Sequence, residues 1–224
     1  GAIPKEDAIA YVDKLLGRFA DNSIAQKNAY ATVLQSLDQV RSTAYLNFGQ
    51  AYQQKFPTDQ QTNAAIQNRL QVYRAEAEAE KSLGIGAIPP EINLPTPDGP
   101  KLKLSSLRGK VVLLDFWAAW CRPCRMENPN VVRLYNKYKD KGFDVYGVSL
   151  DRSRADWLKA IQDDKMTWNH VSEIKHWDSE AARAYRVSGI PATWLLDRDG
   201  KIIGKNLRGR ALEQKLDEIF AKSL

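Results

Sequence analysis

Cysteine and histidine are scarce in this chain, and long apolar runs are absent. Two cysteines in 224 residues exclude a fold stapled by several disulfides, and with two histidines they cannot easily complete the four-ligand set of structural zinc. His170 and His176 lie far along the sequence from the cysteines and read as ordinary polar or partly buried residues, so no metal is expected. The longest apolar stretch, near Val111, is far shorter than the roughly 20 residues of a membrane-spanning helix. No signal peptide is recognisable, and no motif of nucleic-acid recognition is present.

What is there fits a globular protein of one large or two small domains, with 43% apolar and 27% charged residues. Residues 1–86 carry nine basic and nine acidic side chains and residues 87–224 carry 24 and 18, so the net charge of +6 belongs to the second part. The bases are dispersed among acids, which reads as a solvated surface; attraction to acidic proteins or to an anionic membrane face is the sharper alternative.

The two cysteines form the pair Cys121-Arg122-Pro123-Cys124, straight after the run Val111-Val112-Leu113-Leu114-Asp115-Phe116-Trp117. A Cys-x-x-Cys pair where a buried strand turns into a helix puts the first sulfur at the helix N-terminus. Unpaired amides and the helix dipole stabilise a thiolate there. Cys121 is therefore the expected nucleophile and Cys124, one turn on, the resolving thiol. Arg122 adds positive charge beside the thiolate, with Arg125 in support, and both favour the dithiol form. Cys124 needs a base. Asp115 interrupts an apolar strand, where desolvation would raise its pKa, and Glu127 follows Cys124 by three residues; either carboxylate suits the task. A disulfide that closes so small a loop restricts the unfolded chain little, which favours redox chemistry over a structural role. Pro129 bends the helix that starts at the cysteines, and Gly189-Ile190-Pro191-Ala192-Thr193 reads as a turn entering a strand.

These residues carry a resemblance. Asp115-Phe116-Trp117-Ala118-Ala119-Trp120-Cys121-Arg122-Pro123-Cys124 followed by Pro129, together with Gly189-Ile190-Pro191-Ala192-Thr193, resembles the thioredoxin superfamily. The lead-in Ile92-Asn93-Leu94-Pro95 to Gly99, the stretch Leu104 to Lys110 and the insert after Val145 to Asp151 narrow it to the extracytoplasmic TlpA/ResA-like branch. The match covers about residues 87–224. It implies that Pro191 is a cis-proline whose neighbour Ile190 pairs with the substrate backbone, and that Trp120, Arg122 and Pro123 contact substrate. Trp117 would help shape the site. Asp115 matches the buried acid of thioredoxins and Glu127 a glutamate of ResA-like members, a mixed pattern that leaves open which one moves the proton. The implied protein is a thiol-disulfide oxidoreductase, acting as a reductase, extracytoplasmic or membrane-attached. Its partners are proteins with cysteines or disulfides and a membrane or extracytoplasmic thiol donor, with no cofactor beyond the redox-active disulfide. Alternatives are a redox-sensing binding module and a peroxiredoxin-like peroxidase. Ala118 stands where the peroxidases place a threonine, which speaks against the latter. Nothing in the sequence sets an oligomeric state.

The expected architecture is an all-helical segment over 1–86 and an α/β, thioredoxin-like domain over 87–224 with a central mixed sheet flanked by helices. The first segment reads as three helices, Lys5 to Arg18, a run from Ser23 as cap to Phe56, and Asp59 to Leu83, possessing the apolar positions Tyr30, Val33, Leu34, Leu37, Val40, Ile66, Leu70 and Tyr73. The leading Gly1 suggests the trimmed end of a larger N-terminal region. Gly84-Ile85-Gly86-Ala87-Ile88-Pro89-Pro90 marks the boundary. After it the sequence reads as a short hairpin around Pro97-Asp98-Gly99, a strand from Lys110, a helix from Cys121 to about Lys141, a strand from Phe143 to Leu150, a helix from about Arg154 to Asp163, a helix near Ser179 to Arg186, a hairpin from Thr193 to Asn206 turning at Asp199-Gly200, and a C-terminal helix from about Ala211.

Overall fold

The computed structural model describes residues 22–221 together with positions 14 and 17. It divides the chain into two compact units, Gly1–Glu80 and Lys81–Leu224. The expected helix from Lys5 to Arg18 lies outside the described residues apart from those two positions.

In the first unit the stretch from Ser23 to Phe56 is not one helix but two, α1 (Ser23–Gln39) and α2 (Tyr45–Lys55), followed by α3 (Gln60–Leu83), whose last three residues belong to the second unit. The break follows from its residues. Val40 faces solvent, so no burial holds the helix there. Arg41 takes a left-handed φ of 48° and Ser42 N–H donates back to Leu37 O at 2.9 Å, the wrap that ends many helices. The cap of α1 is Asn22, whose side chain accepts from Ala25 N–H at 3.0 Å, not Ser23. Tyr30, Leu34, Phe48, Tyr52, Ile66, Leu70 and Tyr73 form the core of this unit, and Tyr45 stacks on Tyr73 at 4.9 Å. Two core tyrosines keep their hydroxyls bonded, Tyr52 to Asp59 at 2.6 Å and Tyr73 to Asp38 at 3.0 Å.

The second unit opens with a hairpin, β1 (Asn93–Pro95) and β2 (Lys101–Lys103), turning through Pro97 to Gly99 as expected. Its sheet has the order β5-β4-β3-β6-β7, from β3 (Val111–Trp117), β4 (Phe143–Ser149), β5 (Asn169–Ser172), β6 (Ala192–Leu196) and β7 (Ile202–Lys205). The first three run parallel, and β6 and β7 are antiparallel to their neighbours. Every residue of β3 and β4 is buried, as strands covered on both faces require. The helices are α4 (Arg122–Tyr138), α5 (Arg154–Asp163), α6 (Glu180–Ala184) and α7 (Gly209–Ala221). This is the thioredoxin-like plan. The edge strand β5 is the one strand that the sequence reading lacks, because Asn169-His170-Val171-Ser172 is too short and too polar to carry a periodic signal.

Alternation along β3 sends Leu113, Asp115 and Trp117 to one face of the sheet and Leu114 and Phe116 to the other. Phe116 meets Tyr185 and Trp194 on its side. Asp115 turns instead toward α4 and lines a cavity with Cys124, Val131 and Leu212. In register with it across the sheet stand Gly147 on β4 and His170 on β5. A Cβ on Gly147 would lie 2.9 Å from His170 Nδ1 and 3.2 Å from Trp117 Nε1, both in buried rings with little room to yield. We expect Gly147→Ala to cost about 1–3 kcal/mol in a urea titration; an unchanged midpoint would show that the two rings can move apart.

Candidate active site

The end of β3 delivers the site. Trp117 carbonyl accepts from Leu150 N–H at 2.9 Å, which ties the strand end to the chain leaving β4. The buried carboxylate of Asp151 then holds the next segment by accepting Ala119 N–H at 3.1 Å and Ser149 Oγ–H at 2.7 Å. Burial pushes the Asp151 pKa up, and these two hydrogen bonds offset part of the rise. Asp151 was legible only as the last residue of the stretch that precedes the family insert, since a loop aspartate carries no sign of the amide it will hold.

Cys121 is the N-cap of α4, and its sulfur accepts from Cys124 N–H at 3.2 Å. Pro123, in the first turn, removes an amide that would otherwise lack a partner. Cys121 and Cys124 are joined by a disulfide with an S–S separation of 2.10 Å. Both are nearly buried, 4% and 1% exposed, while Arg122 and Pro123 between them face solvent. Pro129 lies inside α4 as expected. The Ile190–Pro191 bond is cis, and the Ile190 carbonyl oxygen lies 3.7 Å from Cys121 Sγ. The strand-entry turn is thus brought to the cysteines from the far end of the sequence.

Asp115 is 6% exposed, and its Oδ1 has no hydrogen-bond partner. Burial raises its pKa to about 7, Arg208 pulls against that rise, and Glu127 adds to it. The cavity that Asp115 shares with Cys124, Glu127, Asn128, Pro191 and Arg208 measures about 10 Å³. That is near the space of a single water molecule. Glu127 does more than face the cysteines: its Oε1 accepts Gly209 N–H and Asn130 Nδ2–H, each at 2.8 Å. It therefore caps the N-terminus of α7 and ties that helix to α4.

One side chain differs from the sequence reading, and two others reach the site without a sequence signal. Arg125 does not offer a free charge to the thiolate; it is bound to Asp164 through Nη2 at 2.7 Å, with Asp163 at 3.9 Å and the Ala119 carbonyl at 3.3 Å. His176, remote in sequence, packs against Trp120, the residue before Cys121, at 4.9 Å, and Trp177 joins them at 6.1 Å from Trp120. Arg208, unremarked in the sequence, donates to the Pro191 carbonyl. No periodicity links residues so far apart. Trp120 is 49% exposed and donates to the Leu150 carbonyl at 3.3 Å, whereas Trp117 is a core residue. His170 is buried, and burial lowers its pKa to about 4. Among the described residues no group of three or more His, Cys, Asp or Glu is placed to hold a metal ion, and no helix is long and apolar enough to cross a membrane.

The profile of the AhpC/TSA family matches residues 85–205. Thiol-disulfide oxidoreductase ResA of Bacillus cereus (strain ATCC 10987 / NRS 248) is 28% identical over 151 residues, which cover 67% of this chain and 85% of that protein. ResA of Bacillus subtilis (strain 168) is 29% identical over 132 residues, covering 59% of this chain and 72% of that protein. Among solved structures, the thioredoxin domain of a thiol-disulfide oxidoreductase from Bacteroides vulgatus superposes with a TM-score of 0.58 at 41% identity, covering 62% of this chain and 99% of that one. A thiol:disulfide interchange protein from Bacteroides sp. gives 0.57 at 39% identity, over 61% of this chain and 90% of that one.

The raised pKa of Asp115 has a stability signature. Its folded pKa exceeds the unfolded value, so the stability it contributes is full below pH 4 and is lost as pH rises to about 7. Asp115→Asn removes that loss. The oxidised variant should gain up to about 4 kcal/mol on the wild type between pH 4 and pH 8 in denaturant titrations; parallel curves would mean that the carboxyl is not desolvated.

Proposed function

Because this chain belongs to the AhpC/TSA family and, within the thioredoxin superfamily, to the TlpA/ResA-like thiol-disulfide oxidoreductases, we propose that it reduces disulfides in partner proteins through Cys121 and Cys124. The observation that carries this reading is the Cys121–Cys124 disulfide at the N-terminus of α4, with the Ile190 carbonyl 3.7 Å from Cys121 Sγ. A substrate segment lying along Ile190 presents its own sulfur to Cys121.

In the reduced protein the Cys121 thiolate attacks one sulfur of a substrate disulfide. A mixed disulfide forms, and the other substrate sulfur leaves as a thiolate that takes a proton from solvent. Asp115, ionised, accepts the Cys124 proton, directly or through one water in their shared cavity. The Cys124 thiolate attacks Cys121 Sγ, the Cys121–Cys124 bond forms, and the substrate departs as a second thiolate. The substrate gains two electrons and the enzyme pair loses them. A dithiol donor protein restores the reduced pair, so no cofactor beyond the cysteines is needed. Asp115 suits the base role better than Glu127, whose Oε1 is occupied by the α7 terminus and Asn130. Arg122, exposed beside Cys121, favours its thiolate. Trp120 and Pro123 form part of the surface that meets the substrate. The resemblance to the extracytoplasmic TlpA/ResA-like branch supports an extracytoplasmic location here, with a membrane or extracytoplasmic thiol as donor. Peroxide reduction fits poorly, because buried Ala118 offers no hydroxyl where the peroxidases use a threonine.

Cys124→Ser leaves the nucleophile but removes the resolving thiol. Incubated with proteins containing disulfides, it should accumulate mixed disulfides on Cys121 that dithiothreitol releases, while Cys121→Ser should form none. A reactive Cys121 that traps no protein would overturn the protein-substrate reading.

A further inference from the structure

Between β7 and α7 the chain passes through Asn206, Leu207 and Arg208 and folds back onto β6. Asn206 N–H donates to Thr193 O at 2.7 Å, and Thr193 Oγ–H donates to Leu207 O at 3.3 Å. Leu207 packs where Gly204 lacks a side chain; a Cβ there would lie 2.5 Å from Leu207 Cδ1. Thr193 is in register with Asp115 on β3, so this loop is fixed beside the buried acid. From it the Arg208 guanidinium donates to the Pro191 carbonyl and lines the cavity of Asp115, Cys124 and Glu127. The next amide, Gly209 N–H, binds Glu127 at 2.8 Å. Two successive residues thus reach both the turn beside Cys121 and the carboxylates beneath Cys124.

We propose that Arg208 is a positioning residue of the exchange reaction: it fixes the Pro191 carbonyl, and with it the Ile190 edge beside Cys121, while its charge stabilises the ionised Asp115 that takes the Cys124 proton. This rests on the functional reading above and adds to it a residue that acts through the Pro191 carbonyl and Asp115. The groups facing Asp115 are few. From α4 come Cys124 and Glu127, from the β7–α7 loop Arg208, and from β6 the uncharged Thr193. His170, in register beyond Gly147, is neutral near pH 7 because burial depresses its pKa. Arg208 is accordingly the nearby positive charge in this set, set against burial and the like charge of Glu127. Without it, ionisation of Asp115 requires a higher pH.

The test compares the wild type with Arg208→Gln, which keeps a hydrogen-bond donor but no charge, and Arg208→Lys, which keeps the charge. Two readouts are taken on the full chain: the Asp115 carboxyl titration by ¹³C NMR in the oxidised protein, and the pH profile of disulfide exchange with a protein substrate. Arg208→Gln should move both inflections to higher pH by about one unit, which lowers the ionised fraction at pH 7, and the exchange rate, about five-fold. Arg208→Lys should keep the wild-type inflections. If the Gln and Lys variants titrate alike, the charge of Arg208 does not act on Asp115 and the inference is overturned. A wild type that exchanges no disulfides would overturn the functional reading itself, whatever Arg208 does to the Asp115 titration, and the inference with it.

Discussion

The first turn of α4 needs a hydrogen-bond acceptor, and the atom that serves is the sulfur of Cys121. An oxygen from serine or aspartate is the usual cap and would hold the helix better. Using sulfur instead places the most polarisable nucleophile of the chain where backbone amides and the helix dipole favour its anion. Much of the surrounding structure keeps that atom in place. Asp151 pins the Ala119 amide ahead of the helix, Arg125 and Asp164 brace its first turns, and Glu127 joins it to the start of α7. None of these contacts involves the cysteine itself. They fix the backbone on both sides of it, so the sulfur meets Ile190 without a rearrangement.

A second constraint opposes the first. The sheet is stable because β3 is buried on both faces, yet the proposed exchange requires a proton acceptor near Cys124, and the residue proposed for it, Asp115, lies in the middle of that strand and shares a cavity with Cys124. The burial that suits the carboxyl to that proposed role also makes its ionisation costly to the fold. Arg208 offsets part of that cost and Glu127 adds to it. Arg208 and Glu127 reach the same small cavity from different elements, one lowering and the other raising the Asp115 pKa. The proton-transfer range is then a balance of neighbours and not a property of one residue.

How much of this was legible in the sequence depended on how local the information was. The Cys-x-x-Cys pair after a continuous apolar run, the hairpin turning at Asp199-Gly200, and helix α5 were readable from spacing and turn residues alone, and α5 begins and ends where the periodicity placed it. Strand β5 was not readable, because an edge of four residues with polar positions has no period to detect. The split between α1 and α2 has no apolar-spacing signal, since Val40 continues the pattern although it faces solvent. At the site, Asp115 stood out as a charge inside an apolar strand. Arg208 and His176 did not: surface-type residues far along the chain reach Pro191 and Trp120 only when β6, β7 and the loop after β5 are folded. Arg125 misled for the same reason, its partner Asp164 being 39 residues away.

The central claim is that Cys121 and Cys124 form a reversible couple poised to reduce proteins. A redox titration against glutathione or dithiothreitol, followed by tryptophan emission, tests it most directly, since all six tryptophans lie in the second unit and Trp120 adjoins the pair. The account predicts one two-electron transition near or below about −270 mV, the range of thioredoxin reductants. A potential toward about −120 mV would identify an oxidant that inserts disulfides, and the absence of any reversible transition would contradict the account altogether.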